Sequence, residues 1–479
     1  MQCQASHSHI VDSRFYRAGY TTEEGRRVFC DYRRMQRWLD VELVLAKAQA
    51  ELDIIPLDAS QALEKTAFLS LFNIESIQQD IANTGHSLIP LLNEWQRITP
   101  NKAAQFIHYG ATTQDIQDTA QVLEIKDIVY IIERDLSIIT QELMRLADQN
   151  KDLVMIGRTH GQHALPTTLG LKFAVWLDEI LRHSSRVQDC KSRLLVSQLF
   201  GGVGTMSAFG KKGIELLHLF SLKLDLSPPL VAWHTARDRF AELLSIMASI
   251  SGTLAKIANE ICQLARDEIG ELEEPFHTGK IGSTTMPHKR NPELCEQVVV
   301  LAKLIKANAG LGFDALINEH ERDYRSIRLE WVSITESSLF LTGALSLMKN
   351  ILKNLIIHEN TIRNNVSKAA AAITTEAVMF SLGEKIGKQN AHKKLYELTM
   401  MARNSEEPIE NVLTTFPDIV DNISKDKLKK LLDPESQIGL SSQLVENVLE
   451  QAAKTLSANN FEDKLLDCPL TNRCVNAQG

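Results

Sequence analysis

Residues 240–264 of this chain read FAELLSIMASISGTLAKIANEICQL, and their apolar side chains recur at alternating spacings of three and four. The repeat consists of Phe240, Leu243, Met247, Ile250, Leu254, Ile257, Ile261 and Leu264. This heptad-like pattern predicts one apolar face of an α-helix, because a half-buried strand would repeat every two residues. At about 1.5 Å per residue, the predicted helix spans roughly 36 Å, a length typical of helix bundles.

The same repeat occurs in two earlier segments. The first contains Val122, Ile125, Val129, Ile132, Leu136, Ile139, Leu143 and Leu146, and the second contains Trp38, Val41, Leu45, Ala48 and Leu52. Two more apolar segments, 298–304 and 339–352, offer more helical surface than three packed helices would cover. The sequence therefore predicts an all-α fold built on a bundle of long helices, and the surplus apolar surface predicts oligomerisation.

Composition places the chain among globular enzymes. It has 479 residues, of which 44% are hydrophobic and 23% are charged, with a formal net charge of −8. This length exceeds a usual single core, so we expect two or three domains. The negative charge and the lack of a basic stripe argue against a nucleic-acid partner.

Cysteine usage and the N-terminal segment predict a cytoplasmic protein. The seven cysteines are scattered without CxxC spacing, which indicates reduced thiols rather than a zinc site or a disulfide framework. Residues 1–12 contain no apolar signal-peptide core, and no apolar run is long enough for a transmembrane helix, so no membrane partner is expected.

Changes in periodicity and proline content predict three helical domains. Residues 1–111 form an N-terminal helical domain, 112–364 a central long-helix bundle with a catalytic loop, and 365–479 a C-terminal helical domain. The tail from Ser457 has few apolar residues and is expected to fray.

Residues 282–292, GSTTMPHKRNP, combine a hydroxyl group, two cations and an amide between glycine and proline. Gly279 and Gly282 precede this segment and Pro292 closes it, so it is predicted to be a mobile loop. Its side chains suit an anionic substrate. The structural alternative is that Ser283 caps the helix that begins near Pro292.

Three motifs resemble the fumarase/aspartase superfamily, and they occur in the order that the superfamily uses. Residues 282–292 resemble its signature loop, with Thr284 where a second serine is usual. Residues 157–168, GRTHGQHALPTT, and 108–119, HYGATTQDIQDT, are similar to two further blocks. The second and third motifs are typical of the branch that contains adenylosuccinate lyases and 3-carboxy-cis,cis-muconate cycloisomerases.

The resemblance implies a three-domain helical fold and a homotetramer with a twenty-helix central assembly and shared active sites. It implies cleavage of a succinyl substrate with release of fumarate, without a metal or an organic cofactor. Ser283 matches the general base, and His160 matches the general acid that protonates the leaving group. Lys289 and Asn291 match the groups that stabilise the carbanion.

Other matching positions are expected to bind a small anionic dicarboxylate, with a nucleotide as one option. Those expected to contact the substrate are Thr112, Thr113, His86, Arg322, Thr159 and Met286. His163 stands near His160, with a structural role equally open to it. Asp115 is expected to be the N-cap of the helix that follows.

An N-substituted aspartate is the first substrate class that the resemblance implies, with adenylosuccinate as the leading member. Four positions depart from the adenylosuccinate lyase pattern: Gly19, Trp233, Ile327 and Trp331. The alternatives are therefore a cycloisomerase-type enzyme or another small succinyl-compound C–N lyase. A third alternative, from another class, is a non-catalytic structural protein like the lens crystallins of this superfamily.

Overall fold

The computed structural model describes residues 8–277, 279 and 282–458 of the chain. The predicted all-α fold is confirmed, since helices account for most of the described residues. Residues 459–479, which hold most of the tail predicted to fray, lie outside the described residues.

Helices that are mostly shorter precede and follow a central set in which five helices are long. The first helices are α1 (Glu23–Val28), α2 (Asp31–Glu51), α3 (Leu57–Thr66), α4 (Ile74–Thr84), α5 (Ile89–Ile98) and α6 (Asn101–Ala104). The central part contains α7 (Thr113–Gln149), α8 (Leu169–Leu194), α9 (Gly213–Lys223), α10 (Asp238–Leu264), α11 (Glu293–Asp314) and α12 (Tyr324–Lys353). The last helices are α13 (Glu359–Ile373), α14 (Thr375–Ile386), α15 (Lys388–Ser405), α16 (Ile409–Thr415), α17 (Pro417–Val420), α18 (Lys425–Leu431) and α19 (Ser441–Ala458).

In the described part of the chain, four strands form two antiparallel pairs that sequence periodicity did not predict. β1 (Val154–Thr159) pairs with β2 (Gln162–Thr168), and β3 (Leu272–Glu273) pairs with β4 (Ile356–Ile357).

The bundle is built from α7, α8, α10, α11 and α12. Helix α10 packs along α11, α11 along α12, and α7 along α8. The seam predicted in residues 240–264 is buried throughout, so it faces the core of the bundle. Among the described residues, this helix is the one whose length and hydropathy would suffice to cross a membrane, and about half of it is buried inside the protein.

Helix α7 begins at a capping box. Thr112 is the N-cap, and the carboxylate of Asp115 accepts the backbone N–H of Thr112 at 3.0 Å. Asp115 therefore occupies the third helical position, and its assignment as the N-cap is wrong. Its carboxylate also accepts the N–H groups of Phe200 (3.0 Å) and Gly201 (2.9 Å), so it ties the start of α7 to a neighbouring loop.

A buried ion network joins three bundle helices. Arg237, just before α10, donates to Asp118 of α7 at 2.8 and 3.0 Å and to Glu330 of α12 at 2.8 Å. Burial alone would lower the pKa of Arg237, but the two carboxylates raise it above its ordinary value. The guanidinium also lies 5.1 Å from the ring centroid of Trp233. Arg237 therefore acts as a structural cation within the chain.

Replacing Arg237 by leucine should destabilise the protein strongly. The change would leave the carboxylates of Asp118 and Glu330 buried without their cation, which typically costs about 3–5 kcal/mol. The apparent melting temperature should fall by about 3–5 °C, because the unfolding entropy of a 479-residue chain is about 1 kcal/mol per kelvin. Arg193→Leu is the matched control because Arg193 pairs with Glu242 at the surface, and such pairs contribute about 0–1 kcal/mol. Equal melting temperatures for the two variants would contradict the prediction.

Candidate active site

The loop that carries Ser283 is closed on itself. The Ser283 hydroxyl oxygen accepts the backbone N–H groups of Met286 at 3.1 Å and of Thr285 at 3.4 Å. A Cβ atom on Gly282 would collide with the carbonyl oxygen of Lys289, so the two arms of the loop approach each other where only glycine fits. Met286 and Lys289 are exposed, and Ser283 and Asn291 are half-buried.

Ser283 does not cap α11, so this structural alternative is wrong. The N-cap residue of α11 is Pro292, which makes no side-chain cap. The carboxylate of Glu274 takes that role from a distant part of the chain, accepting the N–H groups of Leu294 (3.2 Å) and Cys295 (2.9 Å). A carboxylate at this end of a helix is stabilising because the first N–H groups lack intrahelical partners.

The predicted acid, His160, lies at the tip of the β1–β2 hairpin. His160 and Gly161 form the two-residue turn with φ of 52° and 73°. A two-residue turn with positive φ at both positions matches the right-handed twist of the strands that it connects. The side chains of Thr159, His160 and His163 are exposed. These three side chains therefore lie on the surface of the single chain.

Arg158, two residues before His160, is held by an ion pair within the chain. Its two terminal nitrogens donate to the carboxylate of Glu271 at 2.9 and 2.7 Å. Glu271 is fully buried, and it also accepts the side-chain amide of Asn365 on α13 at 3.0 Å. The ion pair of Arg158 with Glu271 therefore fixes the hairpin in place.

A second group of predicted residues lies where α7 and α12 begin. The Thr112 hydroxyl accepts Arg322 Nη1 at 2.7 Å, and Arg322 Nε donates to Gln114 at 3.2 Å. Thr113, the first residue of α7, is half-buried beside them. The guanidinium thus joins two loops that sequence alone could not place together.

His86 belongs to the same end of the molecule. Its ring Nδ1 faces the backbone N–H groups of Leu88 (3.3 Å) and Ile89 (3.1 Å). The neighbouring Ser87 hydroxyl accepts Gln117 Nε2 at 2.6 Å and lies 3.3 Å from the Tyr324 hydroxyl. Gln114, Gln117, Ser87 and Tyr324 were missed by sequence reasoning, since none of them stands out by spacing or residue type.

The loop before α7 is fixed to α2. His108, with φ of 59°, has its Nδ1 2.6 Å from the carboxylate of Glu42. Burial alone would lower the pKa of His108, but Glu42 raises it above its ordinary value. Gln49 of the same helix donates to the carbonyl of Tyr109 at 2.7 Å. These contacts hold the turn that delivers Thr112 and Thr113.

Within one chain the predicted site residues fall into two groups at opposite ends of the bundle. Thr112 precedes α7, and the β1–β2 hairpin begins five residues after Gln149, where α7 ends. A helix of this length spans about 55 Å. The group of Thr112, Thr113, His86 and Arg322 is thus far from the hairpin tip. The Ser283 loop also lies away from Arg322, because α11, about 33 Å long, separates them.

The departures from the adenylosuccinate lyase pattern have structural roles here. Trp233 is only 1% exposed and its indole N–H donates to the carbonyl of Ser197 at 2.8 Å. Ile327 is also 1% exposed, and Trp331 packs edge-on against Tyr324 with ring centroids 6.2 Å apart. The Gly19 carbonyl accepts Gln297 Nε2 at 2.9 Å. Over the described part of the chain, no group of three or more His, Cys, Asp or Glu side chains could hold a metal ion.

Comparison with known proteins agrees with this architecture. Residues 17–306 match the family model described as lyase, and residues 372–448 match the model of the adenylosuccinate lyase C-terminus. The chain therefore belongs to the lyase family of the fumarase/aspartase superfamily, in the branch of adenylosuccinate lyases and 3-carboxy-cis,cis-muconate cycloisomerases. The predicted enzyme class, a lyase, is confirmed.

Three similar proteins illustrate the range within this family. N-acetyl-S-(2-succino)cysteine lyase from Dickeya dadantii (strain 3937) is 40% identical over 94% of this chain and 98% of that protein. Adenylosuccinate lyase from Methanocaldococcus jannaschii is 35% identical over 92% of this chain and 95% of that protein. The crystal structure of the 3-carboxy-cis,cis-muconate lactonizing enzyme from Pseudomonas putida has a TM-score of 0.85 and 30% identity, covering 92% of this chain and 99% of that one.

Proposed function

We propose that this lyase removes a heteroatom leaving group from a succinyl group and releases fumarate. The observation that carries the proposal is the closed loop of residues 282–292, which holds the Ser283 hydroxyl between two backbone N–H donors. Relatives that are named as lyases of succinyl compounds, at 35–40% identity over most of the chain, support the same reaction.

In this reaction Ser283 is the general base. Its oxygen removes a proton from the CH₂ carbon of the succinyl group, and the electron pair spreads into the adjacent carboxylate. The base is the serine alkoxide, which N–H donors at 3.1 and 3.4 Å favour. Between turnovers Ser283 releases its proton to solvent and His160 takes one up, so the protons balance over the cycle. Lys289 and Asn291 of the same loop supply donors where the negative charge develops.

The second half of the reaction breaks the bond to the leaving group. The electrons of that bond go to the heteroatom, a C=C double bond forms, and His160 donates a proton to the heteroatom. Imidazole suits this role because the ordinary pKa of a histidine side chain lies near neutral pH. We assign Thr112, Thr113, Arg322 and His86 to the carboxylates of the substrate, with Thr159 and Met286 as further contacts.

This assignment requires more than one copy of the chain. The distance along α7, about 55 Å, is several times the length of a succinyl compound, so Thr112 and His160 of one chain cannot touch the same molecule. We therefore infer a homo-oligomer, with a homotetramer as the expected form, in which each site combines both ends of the bundle.

For the leaving group, we propose a small thiol or amine in preference to a nucleotide. Ile327 and Trp331 stand where the adenylosuccinate lyase pattern has a serine and an arginine associated with the phosphate. Ile327 is buried and Trp331 packs on Tyr324, so neither supplies a phosphate ligand. A 2-succino thioether, as in the names of relatives up to 40% identical, is thus the first substrate to test. Adenylosuccinate is the second.

The test is fumarate release, followed by ultraviolet absorbance, from purified protein given each of five compounds. These are N-acetyl-S-(2-succino)cysteine, adenylosuccinate, argininosuccinate, aspartate and 3-carboxymuconate. We expect the thioether to give the highest kcat/KM, by at least about tenfold over adenylosuccinate, which corresponds to 1.4 kcal/mol. Preferred turnover of adenylosuccinate would overturn the choice of leaving group and leave the elimination standing.

A cycloisomerase is the second candidate, favoured by the close likeness to the lactonizing enzyme. It would consume 3-carboxymuconate without releasing fumarate. If none of the five compounds is converted, a non-catalytic role for this fold would instead be favoured.

A further inference from the structure

Four consecutive residues between α10 and the Ser283 loop, Glu271-Leu272-Glu273-Glu274, contact both segments that carry the proposed acid and base. Each of the three carboxylates has a different partner, and Leu272 between them is fully buried. Together these four residues are called the anchor segment below. Its middle residues form β3, which pairs with β4 and so has a fixed backbone.

The first carboxylate, that of Glu271, holds the hairpin. It makes the two-pronged ion pair with Arg158, two residues before His160 in β1. A paired geometry of this kind fixes orientation as well as distance. The amide of Asn365 adds a third contact from α13, on which the apolar face of the hairpin packs.

The second carboxylate, that of Glu273, holds the loop. It accepts Arg290 Nη1 at 3.0 Å and lies 3.1 Å from His358 Nε2. Arg290 directly follows Lys289, and its guanidinium also lies 4.6 Å from the ring centroid of Phe276. The returning arm of the loop is therefore fixed at Arg290, while Ser283 lies on the arm that packs against it at Gly282.

The third carboxylate, that of Glu274, holds the start of α11. It accepts the N–H groups of Leu294 and Cys295, as described above. Asn291 lies two residues before this helix, so the capping contact fixes the point from which the loop leaves the bundle.

We propose that Glu271 and Glu273 are positioning residues for the elimination, and that the anchor segment sets the placement of the hairpin and the loop in each chain. This inference rests on the proposed function for its kinetic consequence. The anchoring itself does not depend on which compound is the substrate.

The kinetic test is a double-mutant cycle on the Arg158–Glu271 pair. Glu271→Gln leaves the guanidinium of Arg158 without its buried counter-charge, so the hairpin should shift and kcat should fall about 10- to 100-fold with a smaller change in KM. If Glu271 acts through Arg158, the Arg158→Gln/Glu271→Gln double variant should be no slower than the slower single variant. A double variant whose loss of kcat equals the product of the two single losses would overturn the proposal.

A second measurement does not need activity. Hydrogen exchange of the resting enzyme should show faster exchange of residues 157–163 in Glu271→Gln, and of residues 282–290 in Glu273→Gln, each without the other. Glu242→Gln, which removes a surface partner of Arg193, is the matched control and should change neither segment. Since Glu273 is partly exposed, its variant should fold even where Glu271→Gln does not.

The outcomes separate the two proposals. If each variant shows faster exchange in its own segment but the wild-type protein releases no fumarate, the anchoring role stands and the proposed function is rejected. Fumarate release with unchanged exchange in both variants would reject the anchor segment alone.

Discussion

Turnover of the Ser283→Ala variant is expected to fall about a thousandfold, because removal of a general base typically costs 10²- to 10⁴-fold. The side chain is small and lies in a loop, and its partners are backbone N–H groups of that loop. Its loss therefore leaves the bundle core untouched. The measurement is kcat on the best substrate of the five-compound panel, together with the melting temperature and the size of the assembly.

Thr285→Ala is the matched control for this variant. Thr285 is exposed and lies two residues further along the same loop, and the substitution keeps its backbone N–H, which points at the Ser283 oxygen. It should retain most of the wild-type kcat. A Ser283→Ala enzyme that turns over normally would remove Ser283 as the base. A variant that unfolds would show that the loop contact is structural.

The long helices were predictable because their apolar side chains all face one core. The repeat in residues 240–264 predicted a helix, and α10 runs from Asp238 to Leu264. Every apolar position in such a repeat indicates the same helix face, so the prediction does not depend on any single residue. The signature loop was recognisable for the opposite reason, since few unrelated loops combine Ser283, Lys289 and Asn291 at that spacing.

Features that depend on contacts between distant segments could not be predicted. The sequence gives no sign that Glu274 caps a helix beginning nineteen residues later, or that Arg158 pairs with Glu271. For the same reason Ser283 could be considered as a cap of α11. The hairpin was missed because its strands show no regular alternation of buried and exposed residues, so only the His160–Gly161 turn distinguishes them.

Spacing along the chain also says nothing about which end of a long helix a motif occupies. Thr112 and His160 are 48 residues apart, and most of that interval is the single helix α7. The sequence motifs read as one site, but a chain of this shape carries their residues at two ends. The resemblance implies shared active sites, and the length of α7 supplies a physical reason to expect them.

Mixed assemblies of two inactive variants should therefore recover activity. Ser283→Ala removes the proposed base from the loop at one end of the bundle. Arg322→Ala removes the guanidinium that donates to Thr112 at the other end. Each variant alone should be nearly inactive. Where two chains supply the two ends of each site, random pairing of equal amounts gives intact sites in about a quarter of cases. Activity should thus rise from near zero to about a quarter of the wild-type value.

The experiment is co-expression of the two variants with different affinity tags, followed by purification on both tags in turn. The control pairs Ser283→Ala with Lys289→Ala, which lie in one loop, so no mixed site receives an intact loop from either chain. Recovery in the first mixture alone would support the shared site. Doubly tagged assemblies with no recovery in either mixture would instead mean that Arg322 and Ser283 do not serve one site from two chains. Because both variants change exposed or half-buried side chains, folding should not obscure the result.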